Sequence, residues 1–165
     1  VSGDVKGACV MGEVSVSTVS GDIVFETVEG EAQLRTVSGD VTVGRAVGKL
    51  CATTTSGDID IAKLEGNGNL RSTSGDVEVN LEKAGEKLEV SSMSGDAKVK
   101  IPEGAGVRMT LNSTSGDVSS FCDNIATEEK VDYVRNGKRA VGTVGEEPYF
   151  ELKVTTVNGD IEVSR

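Results

Sequence analysis

Histidine and tryptophan are absent from this sequence, proline occurs only twice, phenylalanine three times and tyrosine twice. The lack of histidine removes the commonest general base, the commonest metal ligand and every Ser-His or Cys-His pair. No cysteine stands in a CxxC or zinc spacing. A repeated column of carboxylates lacks the two contrasting environments that acid–base catalysis requires. The sequence therefore reads as that of a non-enzyme without a cofactor. So few rings also exclude a core built on aromatic packing, and Val, Ile and Leu must fill it instead.

Long apolar runs are missing too. No stretch approaches the ~18 residues of a membrane helix, and no basic start followed by an apolar core marks a signal peptide, so this segment is expected not to insert into a membrane. Basic residues are outnumbered, 17 against 27 acidic, for a net charge of −10. That balance argues against nucleic acid, whose binding depends on Lys and Arg at the phosphates, and against anionic lipid. Cys9, Cys51 and Cys122 are an odd number in widely separated units. They read as free thiols, which favours a reducing compartment. The chain opens at Val1 inside a repeat unit, which reads as a fragment of a longer protein.

What the sequence does contain is one motif, over and over. Ser-Gly-Asp stands at residues 2–4, 20–22, 38–40, 56–58, 74–76, 94–96 and 115–117, and returns as Asn158-Gly159-Asp160. The glycines are 18 residues apart from Gly3 to Gly75, then 20 and 21 apart. A fixed period in this range is the mark of a solenoid. Around each motif the residues alternate as half-buried strands do. Five before the glycine stand Val16, Leu34, Ala52, Leu70, Val90, Leu111 and Val154; two after it stand Val5, Ile23, Val41, Ile59, Val77, Ala97, Val118 and Ile161. These are the predicted inward columns. A second glycine, nine past the first at Gly12, Gly30, Gly48, Gly66 and Gly104, marks the other bend, where positive φ is needed.

The expected fold is all-β: a single-chain β-solenoid, β-helix-like or β-roll-like, of about eight or nine coils of roughly 18 to 22 residues with two short strands each. At the ~4.8 Å strand spacing it would be a rod about 40 Å long. One domain is expected over 1–165, with regular coils in 1–118, an irregular stretch in 119–147 and a final coil in 148–165 that closes the C-terminal end. Within the irregular stretch Asn136-Gly137 signals a hairpin. Gly137 also lies 21 residues after Gly116 and 22 before Gly159, and that spacing favours a degenerate coil.

Eight of the eleven aspartates share one column, Asp4, Asp22, Asp40, Asp58, Asp76, Asp96, Asp117 and Asp160. Stacked carboxylates repel by roughly 1 kcal/mol per pair even in water, so something must offset them. The structural reading is a turn ladder of Gly21-Asp22, Gly39-Asp40, Gly57-Asp58, Gly75-Asp76, Gly95-Asp96, Gly116-Asp117 and Gly159-Asp160, each carboxylate accepting hydrogen bonds from turn N–H groups and the Ser hydroxyls. The alternative is calcium held between coils by residues such as Asp22, Asp40, Asp58 and Asp76. Against it, only one of the two bends carries Asp, unlike the known calcium β-roll.

The hydroxyls Thr18, Thr36, Thr54, Ser72, Ser92, Ser113 and Thr156 share the inward phase and are expected to be buried. The outward face of the same strand, with Ser15, Ser17, Gln33, Arg35, Thr53, Asn69, Arg71, Ser91, Asn112 and Thr155, is polar and nearly free of acids. It is the candidate binding face, set against a plain solvated surface.

The recurring Thr/Ser-x-Ser-Gly-Asp-Val/Ile-x-Val, with Gly142-Thr143-Val144-Gly145 leading into Val154-Thr155-Thr156-Val157-Asn158-Gly159-Asp160-Ile161, resembles a bacterial family of β-strand-repeat domains of unknown function that carries an adhesin label. The resemblance covers nearly the whole chain. It implies a single-chain β-solenoid, usually bacterial, often joined to a membrane anchor or a small helical module, with some relatives acting in envelope stress sensing. It supplies no catalytic residue to carry over. The expected function is a non-enzymatic adhesion or interaction module of a cell-envelope protein, with a protein or polysaccharide partner. The alternatives are a self-assembling filament-forming scaffold and a calcium-stabilised β-roll. The three cysteines leave a cytoplasmic location as the alternative to the envelope.

Overall fold

A computed structural model describes residues 3–121, 131–136, 138–145 and 150–165; Cys122 and Gly137 lie outside them. The strands are β1 (Val5–Ser17), β2 (Ile23–Arg35), β3 (Val41–Ser56), β4 (Ile59–Ser74), β5 (Val77–Ser94), β6 (Ala97–Lys100), β7 (Val107–Ser113), β8 (Val118–Ser120), β9 (Val131–Asn136), β10 (Arg139–Val144), β11 (Phe150–Asn158) and β12 (Ile161–Ser164). All belong to one hydrogen-bonded sheet. None of the described residues forms a helix long and apolar enough to cross a membrane.

From β1 to β5 each strand pairs in parallel with the next, so that Val5 lies on Ile23, Ile23 on Val41, Val41 on Ile59 and Ile59 on Val77. Consecutive strands can be parallel without a crossover helix only if the chain winds, each unit stacking on its own counterpart. The result is a β-solenoid of about five turns wound in chain order.

The strand ladder runs straight through the second glycine: Gly12, Gly30, Gly48 and Gly66 lie on one another in register. Their φ values are +98°, +123°, +112° and +128°. Each of the first four turns is therefore one long strand bent in the middle, not two short ones as expected, because a positive-φ glycine bends the backbone without breaking its pairing. The fifth turn is longer, and its register on β4 slips near the bend. There Asn67 Oδ1 accepts from the N–H groups of Glu86 (2.7 Å) and Lys87 (3.0 Å), taking up donors that the slip leaves without a ladder partner.

Beyond Lys100 the winding order fails. β11 pairs in parallel with β5 on one side and β7 on the other, and β12 lies likewise between β6 and β8. The last unit of the sequence is thus inserted into the stack rather than closing its end. β10 pairs antiparallel with β7 and with β9, Arg139 standing opposite Asn136. The hairpin, not the degenerate coil, is what forms, and an antiparallel hairpin cannot continue a parallel winding. Those two departures reduce the expected eight or nine coils to about five in sequence order.

The inward columns fill one continuous core, from Ile23, Leu34 and Val41 through Leu70, Val90 and Leu111 to Val154 and Ile161. Val5 and Val16, in the outermost turn, are only partly buried, since no further turn covers them among the described residues.

Candidate functional site

The Ser-Gly-Asp turns stack into a column, and stacking dictates their composition. From Gly3 to Gly75 each turn glycine N–H donates to the serine carbonyl of the next layer, as Gly21 to Ser38 and Gly57 to Ser74 do, and Gly95 donates to the carbonyl of Asn158. A Cβ added at Gly57 would run into the carbonyl oxygen of Gly39, so the close approach of layers admits only glycine. The same geometry strands two backbone groups per turn, the glycine C=O and the aspartate N–H, and each would be costly if left without a partner.

Side chains satisfy both. The N–H of Asp40 donates to Asp22 Oδ1 (3.0 Å), that of Asp58 to Asp40 Oδ1 (2.8 Å) and that of Asp76 to Asp58 Oδ1 (2.8 Å). The chain of bonds continues through Asp96, Asp160 and Asp117, passing through the inserted unit. Charge-assisted bonds of this kind contribute roughly 1.5–3 kcal/mol, enough to offset the repulsion between neighbouring carboxylates. The partner is the turn N–H of the adjacent layer, one of the two kinds of donor that the sequence suggested. Among the described residues no three His, Cys, Asp or Glu side chains gather as a metal site. Asp22, Asp40, Asp58 and Asp76 run in single file, each with Oδ1 engaged.

The glycine carbonyls are met by the hydroxyl column. Thr36 donates to Gly21 O (3.2 Å), Thr54 to Gly39 O (3.1 Å), Ser72 to Gly57 O (3.1 Å) and Ser92 to Gly75 O (3.2 Å). All seven members of this column are buried, as their phase predicted. The motif Thr/Ser-x-Ser-Gly-Asp is thus a self-satisfying hydrogen-bonding unit, and its aspartates and hydroxyls are engaged in holding layer to layer.

The candidate binding face is a different set of atoms. One outward row runs Ser17, Arg35, Thr53, Arg71, Ser91, Thr155, Asn112 and Arg139, each directly paired with the next. A second row runs Ser15, Gln33, Cys51, Asn69, Glu89, Lys153 and Thr110. The sequence-predicted residues therefore come together as two adjoining rows. Arg139, which the antiparallel hairpin carries into the first row, was not foreseen.

The second row is not acid-free, because Glu89 falls in it. Its carboxylate lies 3.4 Å from Lys153 Nζ and 3.5 Å from Lys87 Nζ. Partial burial works to raise its pKa, but the hydrogen bond and charge of Lys153, and then those of Lys87, prevail and hold it below the ordinary glutamate value. This contact clips the inserted β11 to β5. The row also borders a groove of about 640 Å³, whose lining includes Ser15, Gln33, Lys49, Cys51, Asn67 and Asn69. Cys51 is a half-buried free thiol and Cys9 an exposed one.

Sequence reasoning missed one column. Val19, Val37, Met93 and Val157 are 54%, 47%, 55% and 38% exposed, and all stand two residues before a motif glycine. With the exposed Thr55, Thr73 and Thr114 they form a single line beside the arginine row. The signal was available, since the position is apolar or Thr in every unit from Val19 onward.

Residues 1–164 match the family described as Toastrack DUF4097. No curated protein and no solved structure matches the chain.

Proposed function

The chain belongs to the Toastrack DUF4097 family, a family of unknown function, and from that premise we propose that it is a non-enzymatic interaction module that presents one face of its solenoid to a partner at the bacterial cell envelope. What carries this reading is the face itself. In a chain of net charge −10, the row from Ser17 to Arg139 holds three arginines and no acid. The turn ladder, by contrast, has its Asp Oδ1 atoms and column hydroxyls engaged within the stack, which leaves the outward rows as the surface open to a partner. Adhesion and envelope sensing are two uses of such a face. Substituting Arg35 or Arg71 by Glu is expected to weaken capture of the envelope partner while leaving the melting temperature unchanged. Undiminished capture by both variants would refute the assignment of this face. Protease shaving of intact cells carrying the parent protein tests the location: loss of the domain supports an outward-facing module, and survival until lysis overturns it.

A second reading is self-assembly. It rests on β1, whose outer backbone edge has no partner among the described residues and which carries Met11 at 74% exposure. Long, sparsely charged edge strands template further pairing. Sedimentation over a range of concentrations decides it, growth with concentration favouring assembly and a constant monomer excluding it.

A further inference from the structure

The exposed apolar side chains of the described residues are gathered rather than scattered. Among the described residues, four of the six large exposed hydrophobics, Val19, Val37, Met93 and Val157, share one column, and a fifth, Val141, pairs with Thr110 in the neighbouring second row. Isolated surface hydrophobics need no explanation, but a contiguous line of them marks an interaction surface. Beside this line run Arg35, Arg71 and Arg139, and among the described residues none of the three is paired with a carboxylate. Arg71 donates to Asn69 Oδ1 at 3.2 Å. Two layers separate Arg35 from Arg71 and four separate Arg71 from Arg139, or roughly 10 Å and 19 Å along the stack at the strand spacing.

We infer that this strip docks an extended acidic protein segment, its carboxylates on the arginine row and its apolar side chains on the Val/Met/Thr column. The inference rests on the face assigned under the proposed function and specifies its occupant. Charge selects acidity: on a protein of net charge −10, a positive strip repels basic partners and draws acidic ones, which the negative remainder of the surface repels. The methyl and thioether column selects protein over sugar, because sugar-binding faces stack rings on aromatic side chains and neither row nor the column contains one. The seven layers from Val19 to Thr114 span about 30 Å, the reach of roughly nine extended residues, so an unfolded or strand-like segment crosses every arginine row position between Ser17 and Asn112.

The test uses the full chain and a fluorescently labelled peptide of about ten alternating Glu and Val residues, read by anisotropy. Saturable binding is expected, with none for the matching Lys/Val peptide, and rising salt should weaken it. Replacing both Arg35 and Arg71 by Glu should weaken binding roughly tenfold or more, and Val37→Asn, which removes the apolar contact without changing the charge, should also weaken it, with melting curves unchanged for each. Binding that survives both changes, or equal binding of the Lys/Val peptide, overturns the inference. If the acidic peptide fails to bind while polyglucuronate binds and is lost with the two arginines, the protein segment is overturned and the face stands. If neither probe binds, this inference falls, while capture of the envelope partner still decides the proposed function on its own.

Discussion

Replacing Thr54 by Val removes one rung of the buried hydroxyl ladder while keeping the shape of the side chain. Thr54 is 1% exposed, and its Oγ1 donates to the carbonyl of Gly39 at 3.1 Å. In the variant that carbonyl, in a half-buried turn, faces a methyl group in place of its donor. Leaving an acceptor there without its donor costs up to about 1–3 kcal/mol. The gain from burying a methyl in place of a hydroxyl returns part of that, up to about 0.8 kcal/mol, and a net loss of about 1–2 kcal/mol remains. For a domain of this size each kcal/mol lowers the melting temperature by about 2–4 °C, so a fall of about 2–8 °C is expected. Urea unfolding should give the same loss from the midpoint with the slope unchanged. Thr55→Val, one residue on and exposed, should stay within about 0.5 kcal/mol of the parent. Thr54→Ser keeps the hydroxyl and should cost less than Thr54→Val, as Ser72 and Ser92 already hold equivalent rungs. If Thr54→Val melts with the parent, or above it on the strength of valine's strand preference, the hydroxyls do not hold the layers together and the argument fails.

Gly57→Ala drives a Cβ into the Gly39 carbonyl at a φ of +152° and should cost about 3 kcal/mol in urea titrations; Gly3→Ala, with nothing within 4 Å, should cost clearly less. Glu89 has its folded pKa held below the ordinary glutamate value, so the stability it lends is present above that value and is lost as pH falls through the folded pKa. Lys153→Met should therefore raise the Glu89 pKa in an NMR titration and flatten the loss of stability below the ordinary glutamate range. EDTA should leave the melting temperature unchanged, because the aspartate ladder is closed by backbone N–H groups; a fall would restore the calcium reading.

Much of this architecture was written in local pattern. The inward columns and the buried hydroxyls follow from alternation alone, since a side chain two residues from a buried one on a strand faces the same way. The order of the coils could not be read in the same manner. Every unit carries the same turn, so the bonds that stack Asp96 on Asp160 are chemically the same as those that stack Asp58 on Asp76, and nothing local says which unit lies on which. The hairpin was signalled by Asn136-Gly137 but outweighed by a spacing near the repeat length. At the candidate site, Arg35 and Arg71 were legible from phase. Arg139 was not, because it reaches their row only through antiparallel pairing. Glu89 was legible too, since it stands six residues before Gly95 as Asn69 does before Gly75, but it was passed over as the one acid in a polar row. The Val/Met column was visible but passed over, since Val is at home in any strand.

The insertion of β11 and β12 bears on how the molecule comes into being. Synthesis runs from the N-terminus, and the first five turns can close in order as they emerge. The strands that follow cannot settle, because among the described residues β5 and β7 are joined only through β11, and Asp96 and Asp117 only through Asp160. A nascent chain that stops short of these residues carries two facing strand edges with nothing between them, the kind of surface that chaperones and proteases recognise. Residues 150–165 act as the keystone of the stack, and a closed stack is distinguished from an open one by whether they are in place.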